Sequence, residues 1–412
     1  MGVGIARGVR HPLTPPLIPP TVGEGTRPLA GETPGFAQCR AGPGRTAGIL
    51  RTHSTDSTTM ITRAVLFALA AAVPPAQAAG FIDVLAQPAQ ISPLASRSPL
   101  LSVARAGTSL VAVGQRGHIV VSKDNGATWQ QSPVPVSSDL TAVFFVNEKM
   151  GWAVGHEGVI LATKDGGATW ALQFDGKRAN AALAADLERK AAAQPSSETL
   201  KAHLGEAKRY VEQGPDKPFL DVWFADEKNG FVVGAYNLIF KTEDGGANWT
   251  PWFDRTDNPK YLNLYAIRPA AGGLYVAGEA GLVMKLDNAT QRFRALNTGY
   301  NGSFFGIVGD ATSVVAFGLR GNVYRSGDGG ETWTKVNAGL PATIVGGVAL
   351  PDNRLVLADA GARLTVSADG GRTWQAIPTS NPTVLASVGD AGDGRLALAG
   401  MRGVAVVAPT PR

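Results

Sequence analysis

Short apolar runs separated by turns rich in Gly, Asp and Asn fill most of this chain. The stretch 140–172 shows the pattern in full, with runs at 140–146, 151–155, 158–162 and 169–172. The runs are rich in Val, Ile, Leu and Phe, and their hydrophobic period is two rather than 3.6. This pattern predicts four short strands, which form one antiparallel sheet with the first strand innermost and the fourth outermost.

The same four-run pattern repeats along the chain, and most copies carry one short motif. The motif, called the box below, reads Ser or Thr, Asp two positions later, Gly, Thr or Asn, and then Trp. Neighbouring box tryptophans lie 41 residues apart at both ends of the series, and a degenerate copy at 285–293 has Phe293 in place of Trp and lacks the glycine. A period near forty residues with strand-like runs indicates propeller blades. The five full boxes contain Asp124 and Trp129, Asp165 and Trp170, Asp244 and Trp249, Asp328 and Trp333, and Asp369 and Trp374.

A second repeated phrase, an apolar residue followed by Gly-x-x-Gly-x-Ile or a variant of it, gives the number of blades. It begins at positions 113, 154, 233, 277, 317, 358 and 399, and it survives where the box does not. Seven phrases predict an all-β fold, a seven-bladed β-propeller with Asp-box turns. Only three runs remain for the last blade, so we expect the run 81–87 to supply its outer strand and to seal the ring without an open sheet edge.

The beginning of the chain differs in composition from the rest. Residues 1–59 are rich in Pro and Gly, contain no lysine and show no hydrophobic period, so we expect them to be an upstream misannotation, with Met60 as the true start, or disordered. Residues 60–78 open with Met60 and Arg63, continue with an apolar run and end at Ala78, which is typical of a secretory signal peptide. The propeller, 79–412, would then be exported and periplasmic. The alternative is a disordered extension before an uncleaved anchor.

Charge and cysteine content narrow the function further. Residues 1–79 hold seven of the 38 basic and three of the 33 acidic residues, which leaves the exported part with a net charge of +1. A net charge this low does not indicate a basic surface that binds nucleic acid. Cys39, the single cysteine, also lies before residue 79, so the exported part has no disulfide and no cysteine for a lipid anchor at the cleavage site.

One segment has a helical pattern. Trp170 and Trp249 lie 79 residues apart, which exceeds one period by the segment around 178–214. Apolar residues recur at helical spacing within 179–193 and 199–213, Ser196 or Ser197 can cap the second helix, and Gly214 can end it. We therefore expect a helical hairpin between blades 2 and 3. Antiparallel strand order places this hairpin on the face opposite the boxes, beside the glycine phrases.

The fourth position of the glycine phrases suggests a binding face. Counting six positions back from each box, and taking the fourth position of the last phrase, gives Arg116, Glu157, Tyr236, Glu279, Arg320, Gly361 and Arg402. The set is either ordinary solvated charge or a polarised contact surface, since Arg and Tyr often anchor interfaces. The candidate partner-binding residues are Arg116, Arg320, Arg402, Tyr236, Glu157 and Glu279. The box aspartates sit on different blades and are interpreted as structural, because a carboxylate accepts backbone hydrogen bonds in a tight turn.

The glycine phrases joined to the boxes resemble the photosystem II assembly factor family of propellers and its relatives in non-photosynthetic bacteria. The resemblance covers about residues 100–412. It implies a non-catalytic chaperone or scaffold for a membrane protein complex, with an arginine patch that Arg116, Arg320 and Arg402 would match. For bacterial relatives it suggests an exporter of the resistance-nodulation-division type as the partner. The helical insert and the missing lipidated cysteine depart from the photosynthetic members, and we expect a monomer without cofactors.

Two other functions remain open from the residues alone. A sialidase-like hydrolase would use Tyr236 between Glu157 and Glu279 with three arginines across the ring, although the Ala-Ile-Arg-Pro string at 266–269 is reordered and follows the third box. A carbohydrate-binding propeller would use exposed aromatic residues, which could equally serve packing: Trp252, Tyr261, Tyr265 and Tyr300. The histidines His118, His156 and His203 lack ligand spacing, so no metal site is expected. The glycines open no helix, so no phosphate loop is expected either.

Overall fold

The computed structural model describes residues 82–379 and 383–408, which belong to one compact unit, Ala79–Arg412. The predicted signal peptide at 60–78, the proposed start at Met60, the preceding residues 1–59 and Cys39 lie outside the described residues.

Seven antiparallel sheets, blades 1 to 7, follow one another along the described chain, each with its strands in sequential order. Blades 1 and 2 contain β1 (Leu100–Ala106), β2 (Ser109–Gly114), β3 (Ile119–Ser122), β4 (Gln130–Gln131), β5 (Leu140–Phe145), β6 (Gly151–Gly155), β7 (Ile160–Thr163) and β8 (Ala171–Phe174). Blades 3 and 4 contain β9 (Phe219–Phe224), β10 (Gly230–Gly234), β11 (Ile239–Thr242), β12 (Thr250–Pro251), β13 (Leu264–Ala270), β14 (Gly273–Gly278), β15 (Val283–Asp287) and β16 (Arg292–Leu296). Blades 5 and 6 contain β17 (Phe304–Gly309), β18 (Val314–Gly318), β19 (Val323–Ser326), β20 (Thr334–Val336), β21 (Ile344–Ala349), β22 (Leu355–Asp359), β23 (Leu364–Ser367) and β24 (Gln375–Ile377). Blade 7 has β25 (Leu385–Gly392), β26 (Arg395–Gly400) and β27 (Gly403–Val407).

The innermost strands form a closed ring in which each contacts the next, and β25 contacts β1. The core lies between adjacent sheets, because each sheet has apolar side chains on both faces. Between blades 1 and 2, for example, Val111, Val143 and Leu161 belong to one buried cluster. Every residue of the second strand is buried in blades 2, 3 and 5. The predicted seven-bladed β-propeller is confirmed.

Side-chain packing between blades 7 and 1 closes the ring. Leu100, Val103 and Leu110 of blade 1 form one apolar cluster with Ala391 and Ala397 of blade 7. The box of blade 1 adds to this seam, since Trp129 packs against the same cluster. In the described residues, the last sheet has three strands and closure involves no strand exchange.

The prediction that the run 81–87 completes blade 7 is therefore wrong. From Ile82 onward the segment forms no strand and lies along the linker between blades 1 and 2, where Ser137 N donates to Val84 O at 3.0 Å. Leu85 and Ala89 join the apolar cluster between those two blades. Ala89 is buried and Leu85 is half-buried in that cluster, and the removal of their apolar surface from water favours the observed position of the segment.

The insert between blades 2 and 3 is a helical hairpin, as predicted, made of α1 (Gly176–Ala193) and α2 (Glu198–Gln213). Asp175 accepts a hydrogen bond from Arg178 N at the start of α1, and Ser197 accepts one from Leu200 N at the start of α2. Gly214 ends α2 with φ +86°, a left-handed conformation that favours glycine. In the part of the chain that the structure describes, no helix has the length and hydrophobicity to cross a bilayer.

Candidate functional site

The insert lies on the same face of the ring as the turns between second and third strands, as the antiparallel order predicts. The Tyr210 hydroxyl of α2 donates to the main-chain oxygen of Tyr236 in the blade 3 turn at 3.0 Å. A Cβ on Gly158, in the blade 2 turn, would lie 2.6 Å from Gly176 Cα at the start of α1. We call this side the turn face and the opposite side, which carries the boxes, the box face.

Five of the turns on the turn face display one residue in a left-handed conformation. Its φ lies between +52° and +57°, which only glycine adopts without cost, yet none of the five residues is glycine. The residues are Arg116, Glu157, Tyr236, Ala280 and Arg320. All are exposed except Glu157, which is half-buried. Each of these turns therefore directs one side chain outward at the rim of the ring.

The amide of the displayed residue is tied to the next blade in three of these turns. In each case the acceptor belongs to the residue directly before the next innermost strand. The bonds are Arg116 N to Asp139 Oδ1 at 2.7 Å, Tyr236 N to Asn263 Oδ1 at 2.9 Å and Arg320 N to Thr343 Oγ1 at 3.3 Å. This contact compensates the backbone strain and fixes the direction of the side chain. The sequence signal for it is the polar residue directly before the innermost strand in these three cases.

One of the positions aligned from the sequence is displaced, and a second differs in backbone conformation. Glu279 begins its turn, Glu279–Gly281, and Ala280 occupies the displayed position, so the alignment of Glu279 with Arg116 is wrong. The carboxylate of Glu279 instead accepts a hydrogen bond from Asn263 N at 3.3 Å. The cause is the degenerate box of blade 4, which shifts the position from which six residues were counted back. In blade 6, Gly361 lacks a positive φ and Ala362 has it.

An arc of arginines occupies the turn face over blades 5, 6, 7 and 1. Two of its members, Arg363 and Arg97, were not predicted from the sequence. Arg363 follows the blade 6 turn, and Arg97 lies beside the blade 7 turn, where a Cβ on Gly403 would come 2.8 Å from Arg97 Cα. All five members are exposed: Arg320, Arg363, Arg402, Arg97 and Arg116. We call this set the arginine arc.

Most of the arginine arc is unpaired. Arg363 lies 3.8 Å from the buried carboxylate of Asp359. The other four form no ion pair with any carboxylate in residues 82–379 and 383–408. Asp139 receives the main-chain amide of Arg116 rather than its guanidinium. The arc therefore presents guanidinium groups whose hydrogen-bond donors face solvent.

The other side of the turn face, at the insert, is aromatic and closely packed. Tyr236 is 53% exposed, and Lys217 Nζ lies 5.9 Å from its ring centre and 4.5 Å from that of buried Tyr210. Burial, with the nearby charge of Glu206, raises the pKa of Tyr210, so its hydroxyl keeps the proton it donates to Tyr236. Arginines and an exposed tyrosine thus lie on one rim, as the sequence predicted.

The boxes on the other face use their polar groups internally. In blade 1, Asp124 Oδ1 accepts from Thr128 N at 2.8 Å and from Ser122 Oγ at 2.7 Å. Hydrogen bonds from Thr128 and Ser122 lower the pKa of Asp124 to about 2. The same bonds occur around Asp328 and Asp369. Each box carboxylate serves its own turn, and the five do not converge on a common site.

The residues named for other functions serve packing in part. Trp252 is buried, and Tyr261 stacks on Phe253 with ring centres 5.4 Å apart. His118 Nδ1 lies 2.9 Å from Ser98 Oγ, and His203 packs edge-on against Phe253. Within the described ranges, no cluster of three or more His, Cys, Asp or Glu could hold a metal ion.

The charged side chains that line the central channel pair with one another. The channel encloses about 340 Å³ and is lined by the innermost strands of all seven blades. Arg268 Nη1 lies 2.6 Å from Asp221 Oδ2, and Arg105 Nη1 lies 3.0 Å from Asp390 Oδ2. Burial raises the pKa of Asp221, while Arg268 and the amide of Ile267 oppose that shift. Because these charged side chains satisfy each other across blades, the exposed arginine arc is the stronger candidate site.

Comparison with known proteins agrees with the repeated architecture. A family model described as Photosynthesis system II assembly factor YCF48 matches residues 95–164, 121–185 and 203–349. The Photosystem II assembly lipoprotein Ycf48 of Synechococcus sp. (strain CC9902) is 36% identical over 121 residues, which are 28% of this chain and 35% of that relative. The alignment therefore spans about a third of the length of this relative.

Solved structures share the fold at low sequence identity. YCF48 bound to D1 peptide is 15% identical, with a TM-score of 0.54 over 79% of this chain and 97% of that chain. YCF48 from Cyanidioschyzon merolae is 16% identical, with a TM-score of 0.54 over 78% and 97%. The WD40 β-propeller domain of Doa1 is 10% identical, with a TM-score of 0.54 over 78% and 94%. Since the family match covers more than half of the chain, this protein belongs to the photosynthesis system II assembly factor YCF48 family of propellers.

Proposed function

We propose that this protein is a non-catalytic, exported assembly factor or scaffold that binds a membrane protein complex through its turn face. The observation that carries the proposal is the arginine arc, in which four of five guanidinium groups form no ion pair within the described residues. Like charges on one rim repel each other, and an acidic partner relieves that repulsion. Arginine also binds carboxylates through two parallel hydrogen bonds, which gives orientation as well as affinity.

The relatives support a polypeptide as the ligand. A YCF48 has been solved with a D1 peptide, and the curated relative is named an assembly lipoprotein. By analogy, we propose that an acidic, extramembrane segment of a membrane protein lies along the arc and reaches Tyr236 beside the insert. Tyr236 supplies apolar contact area at low entropic cost, while the arginines supply charge complementarity.

The proposal also specifies a partner and a compartment. The resemblance stated above suggests a component of an exporter of the resistance-nodulation-division type. We further propose that the chain acts in the periplasm after cleavage near Ala78, as a monomer and without a cofactor.

The experiment is a pull-down from membranes with the exported chain. The test variant carries Arg116→Glu, Arg320→Glu and Arg402→Glu, and the matched control carries Lys123→Glu, Lys149→Glu and Lys164→Glu, three exposed lysines on the box face. Both variants change the net charge equally. We expect the arginine variant to lose its membrane partners and the lysine variant to retain them. Equal recovery by wild type and both variants would show that the arginine arc is not the binding site.

The hydrolase interpretation has its own test. Aryl glycosides and aryl sialosides are incubated with wild type and Tyr236→Phe, and the released dye is measured. We expect no release by either protein above the buffer blank. Release by wild type that Tyr236→Phe abolishes would establish catalysis and overturn the non-catalytic proposal.

A further inference from the structure

On the box face, each full box turn packs against the blade that precedes it. A Cβ added to the glycine two positions after the box aspartate would come 2.3 Å from Val406 in blade 7 for Gly126, and 2.6 Å from Val315 in blade 5 for Gly371. Contacts of the same kind place Gly167 on blade 1, Gly246 on blade 2 and Gly330 on blade 4. The turn thus fills a groove that the preceding sheet offers, and it needs glycine to approach so closely.

At three of these seams the preceding blade also donates a hydrogen bond to the turn. The acceptor is the main-chain oxygen of the glycine directly after the box aspartate. The donors are Gln173 Nε2 to Gly245 O at 3.0 Å, Tyr275 hydroxyl and Lys285 Nζ to Gly329 O at 2.8 and 3.1 Å, and Arg325 Nε to Gly370 O at 2.7 Å. At these three seams the groove that accepts a box turn therefore offers a donor for the glycine carbonyl, and Leu296 and Val315 add an apolar wall in blades 4 and 5.

The seam between blades 3 and 4 lacks this turn. In blade 4 the degenerate box continues as a regular hairpin, with Leu286 paired to Phe293 and Asp287 paired to Arg292. In blade 5, by contrast, the pairing stops at Arg325 and Thr334, and the box projects between them. Phe293 turns inward and packs on Phe231 with ring centres 5.6 Å apart. No box turn therefore extends from blade 4 onto blade 3.

An open cleft remains where that turn would lie. It encloses about 560 Å³, a volume typical of ligand sites. Trp223, Phe231, Leu274 and Leu286 contribute apolar walls, and Lys241 and Asn288 contribute polar groups. The cleft is on the box face, since its rim includes the turns between the first and second strands of blades 3 and 4.

Lys241 is the counterpart of the donors at the filled seams. It pairs with Phe231 across β10 and β11, as Lys285 pairs with Tyr275 and Arg325 with Val315 in blades 4 and 5. Its Nζ lies 2.7 Å from Glu243 Oε1 at the edge of the strand and 5.1 Å from the ring centre of Trp252. Lys241 thus occupies the donor position of this groove, but no box turn of the described residues places a glycine carbonyl there to accept its hydrogen bond.

We propose that the cleft between blades 3 and 4 binds a glycine-containing turn of a partner polypeptide. The turn carbonyl accepts a hydrogen bond from Lys241, and an apolar or aromatic side chain of the partner fills the space between Trp223, Phe231 and Leu286. The chain itself supplies the template, because its five box turns occupy the corresponding grooves of the other blades. This site lies on the face opposite the arginine arc, so a second polypeptide can bind while the arc is occupied.

The experiment measures binding of a fluorescein-labelled peptide with the sequence of residues 325–334, taken from the blade 5 box, by fluorescence anisotropy. The full chain is titrated against this peptide and against one in which both glycines at 329 and 330 are alanine. We expect saturable binding of the glycine peptide and at least about tenfold weaker binding of the alanine peptide, because alanine disfavours positive φ. Equal binding of the two peptides, or no saturation up to about 1 mM, would overturn the proposal.

Three variants locate the binding site. Lys241→Met removes the donor and keeps the apolar stem, and we expect at least about tenfold weaker binding, since hydrogen bonds from charged groups are the stronger ones. Asn288→Trp places an indole at the cleft rim and should block binding. Lys335→Met, an exposed strand lysine of blade 5, is the control and should bind as wild type does. Thermal melting checks that each variant is folded, and wild-type affinity in both folded cleft variants would contradict the assignment.

Discussion

Substitution of Gly126 tests how the ring is closed. Gly126 adopts φ +88° in the blade 1 box, and an added Cβ would lie 2.3 Å from Val406 Cγ2 of blade 7. Gly126→Ala therefore combines a left-handed alanine, at about 1–2 kcal/mol, with overpacking at about 1–3 kcal/mol. We expect the free energy of unfolding to fall by about 2–5 kcal/mol.

A double-mutant cycle separates these two costs. Val406→Ala removes the methyl that the new Cβ meets, and as a half-buried valine it should cost about 1 kcal/mol alone. If the seam is packed as described, the double variant is less destabilised than the sum of the single variants by about 1–2 kcal/mol. The remaining cost of Gly126→Ala then reports the backbone strain alone.

Urea unfolding followed by tryptophan fluorescence measures each corner of the cycle, with equal m-values as the condition for comparison. Gly371→Ala with Val315→Ala is the matched control, because Gly371 has φ +84° and its Cβ would lie 2.6 Å from Val315 within a continuous part of the ring. Coupling at the control pair together with strict additivity at Gly126 and Val406 would refute closure by packing between blades 7 and 1.

Three further predictions concern the boxes and the insert. Hydrogen bonds lower the pKa of Asp124 to about 2, and they also hold the pKa values of Asp328 and Asp369 below the value in the unfolded chain. The contribution of these carboxylates to the free energy of unfolding is therefore complete above about pH 4–5 and is lost as pH falls towards 2. Asp328→Asn should flatten that acid limb in pH-dependent urea unfolding, and an unchanged limb would contradict it. Leu187→Ala, at a fully buried position of α1, should lower the free energy of unfolding by about 2–5 kcal/mol in urea. Val211→Ala, at a 49% exposed position, should change it by no more than about 0.5 kcal/mol. Similar costs for both would argue against the described packing of the insert. Gly205→Ala should raise the free energy of unfolding by about 0.5–1 kcal/mol, because Gly205 is an exposed glycine inside α2 with no atom within 4 Å of its Cβ position. A loss of stability would contradict this description of the Gly205 surroundings.

The repeated elements could be predicted from the sequence because each is specified locally. Box spacing and glycine phrases predicted the blade count, Gly214 marked the end of α2, and Ser197 is the one of the two predicted serines that caps it. Antiparallel order alone placed the insert on the turn face. These inferences succeed because turn chemistry and hydrophobic period act within a few residues.

The failures concern interactions between distant segments. The segment from Ile82 had the composition of a strand, but the buried cluster between blades 1 and 2 decided its position. Glu279 was misaligned because the degenerate box was assumed to keep the spacing of the others. Arg97 joins the arginine arc only because the last blade lies beside the first, a proximity that no local pattern encodes.

The left-handed turns also separate the chemistry of the rim from the stability of the ring. Their backbone is held by the following blade, through Asp139, Asn263 and Thr343, while the displayed side chains at 116, 236 and 320 extend into water. Substitutions there can reverse a charge or remove a ring with little effect on folding, provided that the new residue tolerates a positive φ, which disfavours valine and isoleucine. One scaffold can therefore acquire a different binding partner through a few point substitutions.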